Sequence, residues 1–128
     1  ELHGASADEI QKKVEAKLQY DEYAWQKERN VRIKEKNRAC GLHLPLYQCI
    51  SCKTKGRMRS GGEYLWCEAC GKKWILMENG DLEAVADGSR KEVPAWYRWE
   101  RQQVERQIRD GVYPGCDILV RIDALPNE

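Results

Sequence analysis

The chain has 128 residues, enough for one modest domain or two small modules. Lys and Arg number 22 against 21 Asp and Glu, a formal charge of +1, so bulk charge leaves no footprint for nucleic acid. With 34% charged residues and a mean hydropathy of -0.79 the chain is polar for a globule, which favours an extended or helical-arm shape; Trp74-Ile75-Leu76-Met77 typifies its longest apolar runs, far short of the roughly eighteen residues of a membrane span.

The opening residues show no basic stretch followed by an apolar core, so no secretory signal is read. Ser6-Ala7-Asp8-Glu9 has the form of a capping box, with Ser6 as N-cap and Glu9 reaching back. Ile10, Val14 and Leu18 follow at intervals of four, and Trp25 continues the stripe. So narrow a stripe cannot form a core alone and must lie on a sheet, another domain or a partner. From Lys27 to Arg38 the basic residues Lys27, Arg29, Arg32, Lys34, Lys36 and Arg38 outnumber Glu28 and Glu35, with Val31 and Ile33 among them; this reads as a solvated helix end or linker. Residues 1–43 are thus expected to form a helical arm.

The most informative feature comes next. Cys49-Ile50-Ser51-Cys52 and Cys67-Glu68-Ala69-Cys70 are two C-x-x-C pairs separated by fourteen residues. The spacing is that of a four-thiolate zinc site: each pair sets two sulfurs on one tight turn, and a hairpin fits between. Cys49, Cys52, Cys67 and Cys70 are therefore the expected ligands of a structural Zn²⁺, with no coordination position left open for chemistry. Two disulfides, a redox-active pair or an iron centre could use the same residues; a highly charged chain without a signal reads as cytosolic, where thiols stay reduced. Around the cysteines, Pro45 breaks any preceding helix and Leu46-Tyr47 leads into the first pair. Ser60-Gly61-Gly62 suits a hairpin turn, Tyr64-Leu65-Trp66 a strand, Trp74–Met77 another, and Asn79-Gly80 a second hairpin returning through Leu82–Val85. Residues 44–86 are expected to be a zinc ribbon of three or four short antiparallel strands, dependent on metal for stability.

Asp87-Gly88-Ser89 turns into a charged link. Pro94 suits the first position of a helix running through Arg109 to a stop at Gly111. Trp96, Tyr97 and Trp99 crowd its opening turn, Val104 and Ile108 continue the apolar face, and Arg101, Glu105 and Arg109 form pairs on the wet face. The three aromatics either pack on the ribbon and first helix or anchor a partner protein. Ile118, Val120 and Ile122 alternate as a strand should, and a lone strand would pair with the ribbon, with a second copy, or with a sheet continuing beyond residue 128. Residues 87–128 are therefore read as helix plus terminal strand. The expected fold class is α+β: a small antiparallel zinc-ribbon sheet flanked by an N-terminal and a C-terminal helix, ending in a short strand.

Several longer words stand in a distinctive order. Tyr23-Ala24-Trp25-Gln26-Lys27-Glu28-Arg29, Arg32-Ile33-Lys34 and Gly41-Leu42-His43 precede the ribbon. Cys67-Glu68-Ala69-Cys70-Gly71-Lys72-Lys73-Trp74 lies inside it, and Val93-Pro94-Ala95-Trp96-Tyr97-Arg98-Trp99-Glu100-Arg101 and Gly111-Val112-Tyr113 follow. This series resembles, over nearly the whole chain, the region C-terminal to the catalytic domain in bacterial lysophosphatidic acid acyltransferase-like proteins (1-acyl-glycerol-3-phosphate acyltransferases). The resemblance implies a cytoplasmic region at the inner face of the membrane, an acyltransferase domain before it as its partner, and a further β-rich stretch after it. It implies no catalysis here. His3 and Asp8 have the four intervening residues of the family's N-H-x-[ST]-x-x-D signature, but Leu2 replaces the Asn and Ser6 is one place late. The family's second motif, rich in Glu, Gly and Arg, is absent. His43 is read as a packing or surface residue, and Cys40 and Cys116 as thiols outside the metal shell.

Three readings of function remain. The first is a non-catalytic accessory module of such an acyltransferase, with a structural, docking or membrane-proximal role. Lys53, Lys55, Arg57 and Arg59 would face an anionic leaflet, each basic group contributing about 1 kcal/mol at most. The second is a nucleic-acid-binding ribbon, with those residues lining one strand face and Trp66 or Trp74 stacking on bases, which the near-neutral charge disfavours. The third is a protein-interaction module using Trp96, Tyr97 and Trp99. A homodimer through the terminal strand is a further expectation.

Overall fold

The computed structural model describes residues 6–114. His3, Cys116 and the expected strand at Ile118, Val120 and Ile122 lie outside the described residues.

The architecture is α+β, with helices flanking one antiparallel sheet. Helix α1 (Ala7–Leu18) begins at the expected capping box: Ser6 Oγ accepts from the Glu9 amide at 3.3 Å, and Glu9 accepts from the Ser6 amide at 2.9 Å. It buries none of its residues; Ile10, Val14 and Leu18 are all exposed. The expected single helix is broken, because Asp21 caps a new one, α2 (Glu22–Glu28), accepting from the Ala24 amide at 3.0 Å. The restart changes the helical phase. Tyr23 and Gln26 turn inward, and Trp25, expected on the apolar stripe, is exposed.

Five strands follow in meander order: β1 (Met58–Gly61), β2 (Tyr64–Cys67), β3 (Lys73–Leu76), β4 (Asp81–Ala84) and β5 (Arg90–Glu92). Leu46-Tyr47 is not a strand; an isolated bridge, Gln48 to Lys55, closes that turn. The charged link after Ser89 instead becomes β5, pairing Lys91 with Leu82 and Arg90 with Glu83, so the sheet runs past residue 86. Its charges are the reason it looked like a linker: β5 is an exposed edge, where charged side chains deter further pairing. The β3–β4 turn places Gly80 at φ +87°, and a Cβ there would meet Gln26 Oε1 at 3.1 Å and Tyr23 Cδ1 at 3.2 Å. Glycine thus supplies both the left-handed conformation and the room for α2 to dock.

The segment before the ribbon is more structural than a linker. Arg38 is largely buried; its Nε donates to the Leu76 carbonyl at 2.6 Å and its guanidinium pairs with Glu63. Lys27 bridges Asp81 at 2.9 Å and Glu92.

Helix α3 (Val93–Arg109) covers one face of the sheet, with Pro94 in its first turn as expected. Its inner face carries Val93, Trp96 and Glu100. Trp96 is completely buried, edge-on to Trp74 at 4.9 Å between ring centroids, with Leu46, Met58, Leu65 and Leu82 in the same core.

Candidate metal centre

Two turns built to one hydrogen-bonding plan present the cysteines. In the first, the Cys49 amide donates to the Thr54 carbonyl at 3.0 Å and the Lys53 amide to the Cys49 carbonyl at 2.8 Å. In the second, the Cys67 amide donates to the Lys72 carbonyl and the Gly71 amide to the Cys67 carbonyl, both at 2.9 Å. Each turn is closed by a cross-strand pair at the same offset, Gln48 with Lys55 and Trp66 with Lys73. Each also carries a left-handed residue just after its second cysteine, Lys53 at φ +62° and Gly71 at φ +71°. That conformation turns the chain back after the second sulfur, and glycine adopts it without the Cβ clash that lysine meets.

The plan brings all four predicted residues together. The sulfurs of Cys49, Cys52, Cys67 and Cys70 lie within 4.8 Å of one another. Cys49 Sγ is 3.7 Å from Cys70 Sγ, and Cys52 Sγ 3.7 Å from Cys67 Sγ. A tetrahedron with metal–sulfur bonds of about 2.3 Å has edges of about 3.8 Å, so the donor set fits a tetrahedral thiolate metal. The cysteines are free rather than disulfide-bonded. One residue of each turn, Cys49 and Cys67, is buried, while Cys52 and Cys70 are exposed.

The surroundings treat the thiols unequally. Burial pushes the Cys49 thiol up to about 12 against the opposing pull of the Cys52 and Ser51 amides. The hydroxyl and amide of Thr54 draw the Cys52 thiol down to about 6. The Lys72 amide pulls Cys70 down, but burial and the Cys52 and Cys67 sulfurs outweigh it and the net shift is upward. A divalent cation overrides this inequality, since a coordinating thiol loses its proton outright. These four cysteines could hold a metal ion.

The other predicted candidates fall elsewhere. His43 stands apart from the cluster, with Nδ1 2.8 Å from Ser60 Oγ. Cys40 is exposed. Lys53, Lys55, Arg57 and Arg59 do not line one strand, because β1 begins only at Met58. Arg57 and Arg59 instead converge on Glu68 at 3.6 and 3.3 Å, and Lys55 donates to Gln107 at 2.8 Å. The three-aromatic patch is also not one surface. Trp96 is core, Trp99 is half-buried against it, and only Tyr97 is well exposed. The reason is helical geometry: consecutive positions point about 100° apart, so only one of the three can lead into the core. Trp74 is buried too, which removes it as a base-stacking platform.

Sequence reasoning missed the group that ties the first turn to α3. Gln48 donates its amide to Glu100 Oε1 at 2.8 Å, accepts the Trp96 indole N–H on its carbonyl at 3.0 Å, and donates from Nε2 to the Lys53 carbonyl at 2.9 Å. Glu100 is 1% exposed, and its Oε2 meets no donor among the described residues. Burial raises its carboxyl to about 7 against the Gln48 and Trp96 hydrogen bonds. The available signal was the spacing Val93, Trp96, Glu100, a helical face that puts an acid on the inward stripe.

The arrangement defines an α+β protein with a clustered four-cysteine site. No protein-family model, curated protein or solved structure matches the chain. Among the described residues no helix is long and apolar enough to cross a membrane.

Proposed function

We propose that this chain is a zinc ribbon without catalytic activity of its own, serving as a structural docking module of a lysophosphatidic acid acyltransferase-like protein. The observation that carries the zinc reading is the pair of matched turns, which converge four sulfurs at tetrahedral spacing. Zn²⁺ prefers such a shell, and four thiolates leave no site for a substrate or an activated water. Its binding free energy would hold a small sheet that lacks the core to stand alone. The acyltransferase context rests on the resemblance of the longer words. Arg57 and Arg59, already engaged by Glu68, would have to leave it to meet an anionic leaflet, so docking on the parent's catalytic domain is favoured over direct membrane contact.

Two measurements test this. Elemental analysis of the purified chain should find one zinc per chain in the wild type and in Cys40→Ser, and none in Cys67→Ser, whose sheet should unfold. Equal zinc in the wild type and Cys67→Ser would sink the site. Assays with acyl-CoA or acyl carrier protein donors and lysophosphatidic acid should show no transfer. Turnover that vanishes with His3→Ala would overturn the non-catalytic reading.

A further inference from the structure

A second site lies across α3 from the sheet core and owes nothing to the cysteines. A surface cavity of about 360 Å³ is lined by Tyr47, Tyr97, Glu100, Val104 and Ile108. Its volume is in the range of small-ligand sites. Glu100 is the carboxyl whose Oε2 has no donor among the described residues, although the residue is almost wholly buried. An acid so placed costs folding free energy unless something compensates it, and such groups concentrate at functional sites. Tyr47 stands near enough to Glu100, Tyr113 and Tyr97 that these add to burial in holding its hydroxyl above the usual pKa.

The wall chemistry selects the ligand. Aromatic faces attract cations, and a carboxyl lacking a donor asks for an N–H. Val104 and Ile108 accept an alkyl stem. One carboxyl cannot supply the six or more oxygens that calcium or magnesium wants, and it repels anions. The other charges lining the cavity, Arg101 and Glu105, are exposed and opposite in sign, so they roughly cancel. Lys55 does not fill the role: its ammonium donates to Gln107 and lies 5.7 Å from the centroid of the Tyr113 ring.

We propose that the cavity between Tyr47 and Tyr97 binds a primary alkylammonium group, its N–H donated to Glu100 and its charge set against the tyrosine rings. The ammonium belongs to a free amine or to the headgroup of an ethanolamine lipid. The inference is independent of the metal and of the acyltransferase reading.

The test is an NMR titration of the zinc-loaded full chain with butylammonium, read at the Gln48 amide and the Trp96 indole N–H, which report on Glu100. The expected result is a saturable shift of both signals, with affinity roughly tenfold weaker for tetramethylammonium, which cannot donate, and for neutral 1-butanol. Glu100→Gln and Tyr97→Ala should each weaken butylammonium roughly tenfold, whereas Tyr64→Ala on the opposite sheet face should not. Tyr97 is exposed, so its variant serves even if Glu100→Gln fails to fold. Co-sedimentation with phosphatidylethanolamine–phosphatidylglycerol vesicles, lost in Tyr97→Ala, assigns the headgroup; no retention assigns the free amine. Absence of a saturable shift with butylammonium, or unchanged affinity in a folded Glu100→Gln, overturns the proposal.

Discussion

Replacing Glu100 by Gln should uncover a pH-dependent cost in the core. Burial lifts the Glu100 carboxyl from 4.5 to about 7. Between those values the native state binds a proton that the unfolded state has released, so stability falls as pH rises through this window and is flat above it. The size follows from the shift: at 1.36 kcal/mol per unit it comes to about 3 kcal/mol for a group this buried. Gln preserves the acceptor for the Gln48 amide and does not titrate. Whatever fixed offset it brings, the stability of Glu100→Gln relative to wild type should improve by about 3 kcal/mol between pH 5 and pH 8. Urea unfolding of the zinc-loaded proteins at several pH values, with zinc in excess, measures this, because any weakening of metal binding at low pH is common to both. A gap that stays constant across the window would refute the reasoning, since it would mean that Glu100 ionises as it does in the unfolded chain.

The left-handed residues in the two turns make a matched pair. Gly71→Ala should lose about 1 kcal/mol from backbone strain alone, because its new Cβ meets nothing within 4 Å, and Lys53→Gly should gain up to about 1 kcal/mol by relieving the same strain. Zinc-competition titration reads both, and equal signs for the two variants would contradict the shared plan. Trp96→Ala should destabilise by about 3–5 kcal/mol in urea unfolding, as a fully buried indole leaves a cavity against Trp74 and an unpaired Gln48 carbonyl; a loss below about 1 kcal/mol would mean that α3 does not dock in solution. Val14→Asp should change the melting free energy by less than about 0.5 kcal/mol, since α1 buries nothing. A larger loss would show that α1 packs against something.

What could be read from the sequence was what depends on neighbours a few residues away. The capping box at Ser6, proline at the start of α3, and the two C-x-x-C turns are local chemistry, and each appears where expected. The break at Asp21 was equally local but was overlooked, because the apolar spacing through Leu18 to Trp25 suggested continuity across it. Strand β5 failed for another reason. Arg90-Lys91-Glu92 has no apolar residue to announce a strand, and its place is set by the turn that returns it to β4. Edge strands of this kind are defined by their partner's free backbone groups more than by their own side chains.

The metal site and the α3 site differ in the same way. Four cysteines at fixed spacing carry their geometry with them, so the ligand set is visible before any folding is considered. Glu100 and Gln48 become special only when α3 lies on the sheet. Fifty-two residues separate them, and the choice between Trp96 and Tyr97 as the inward aromatic decides whether Glu100 is core or surface. Taking Tyr97, Val104 and Ile108 as the apolar face would turn Glu100 outward; taking Val93 and Trp96 turns it inward. Both faces are apolar enough to dock, and what separates them is the Trp96 indole N–H, which finds the Gln48 carbonyl at 3.0 Å beside the first cysteine turn. The metal site therefore helps to orient the helix. If metal fixes the turn that holds Gln48, loss of zinc should release Trp96 and Glu100 as well as the sheet, and α3 should undock together with the ribbon.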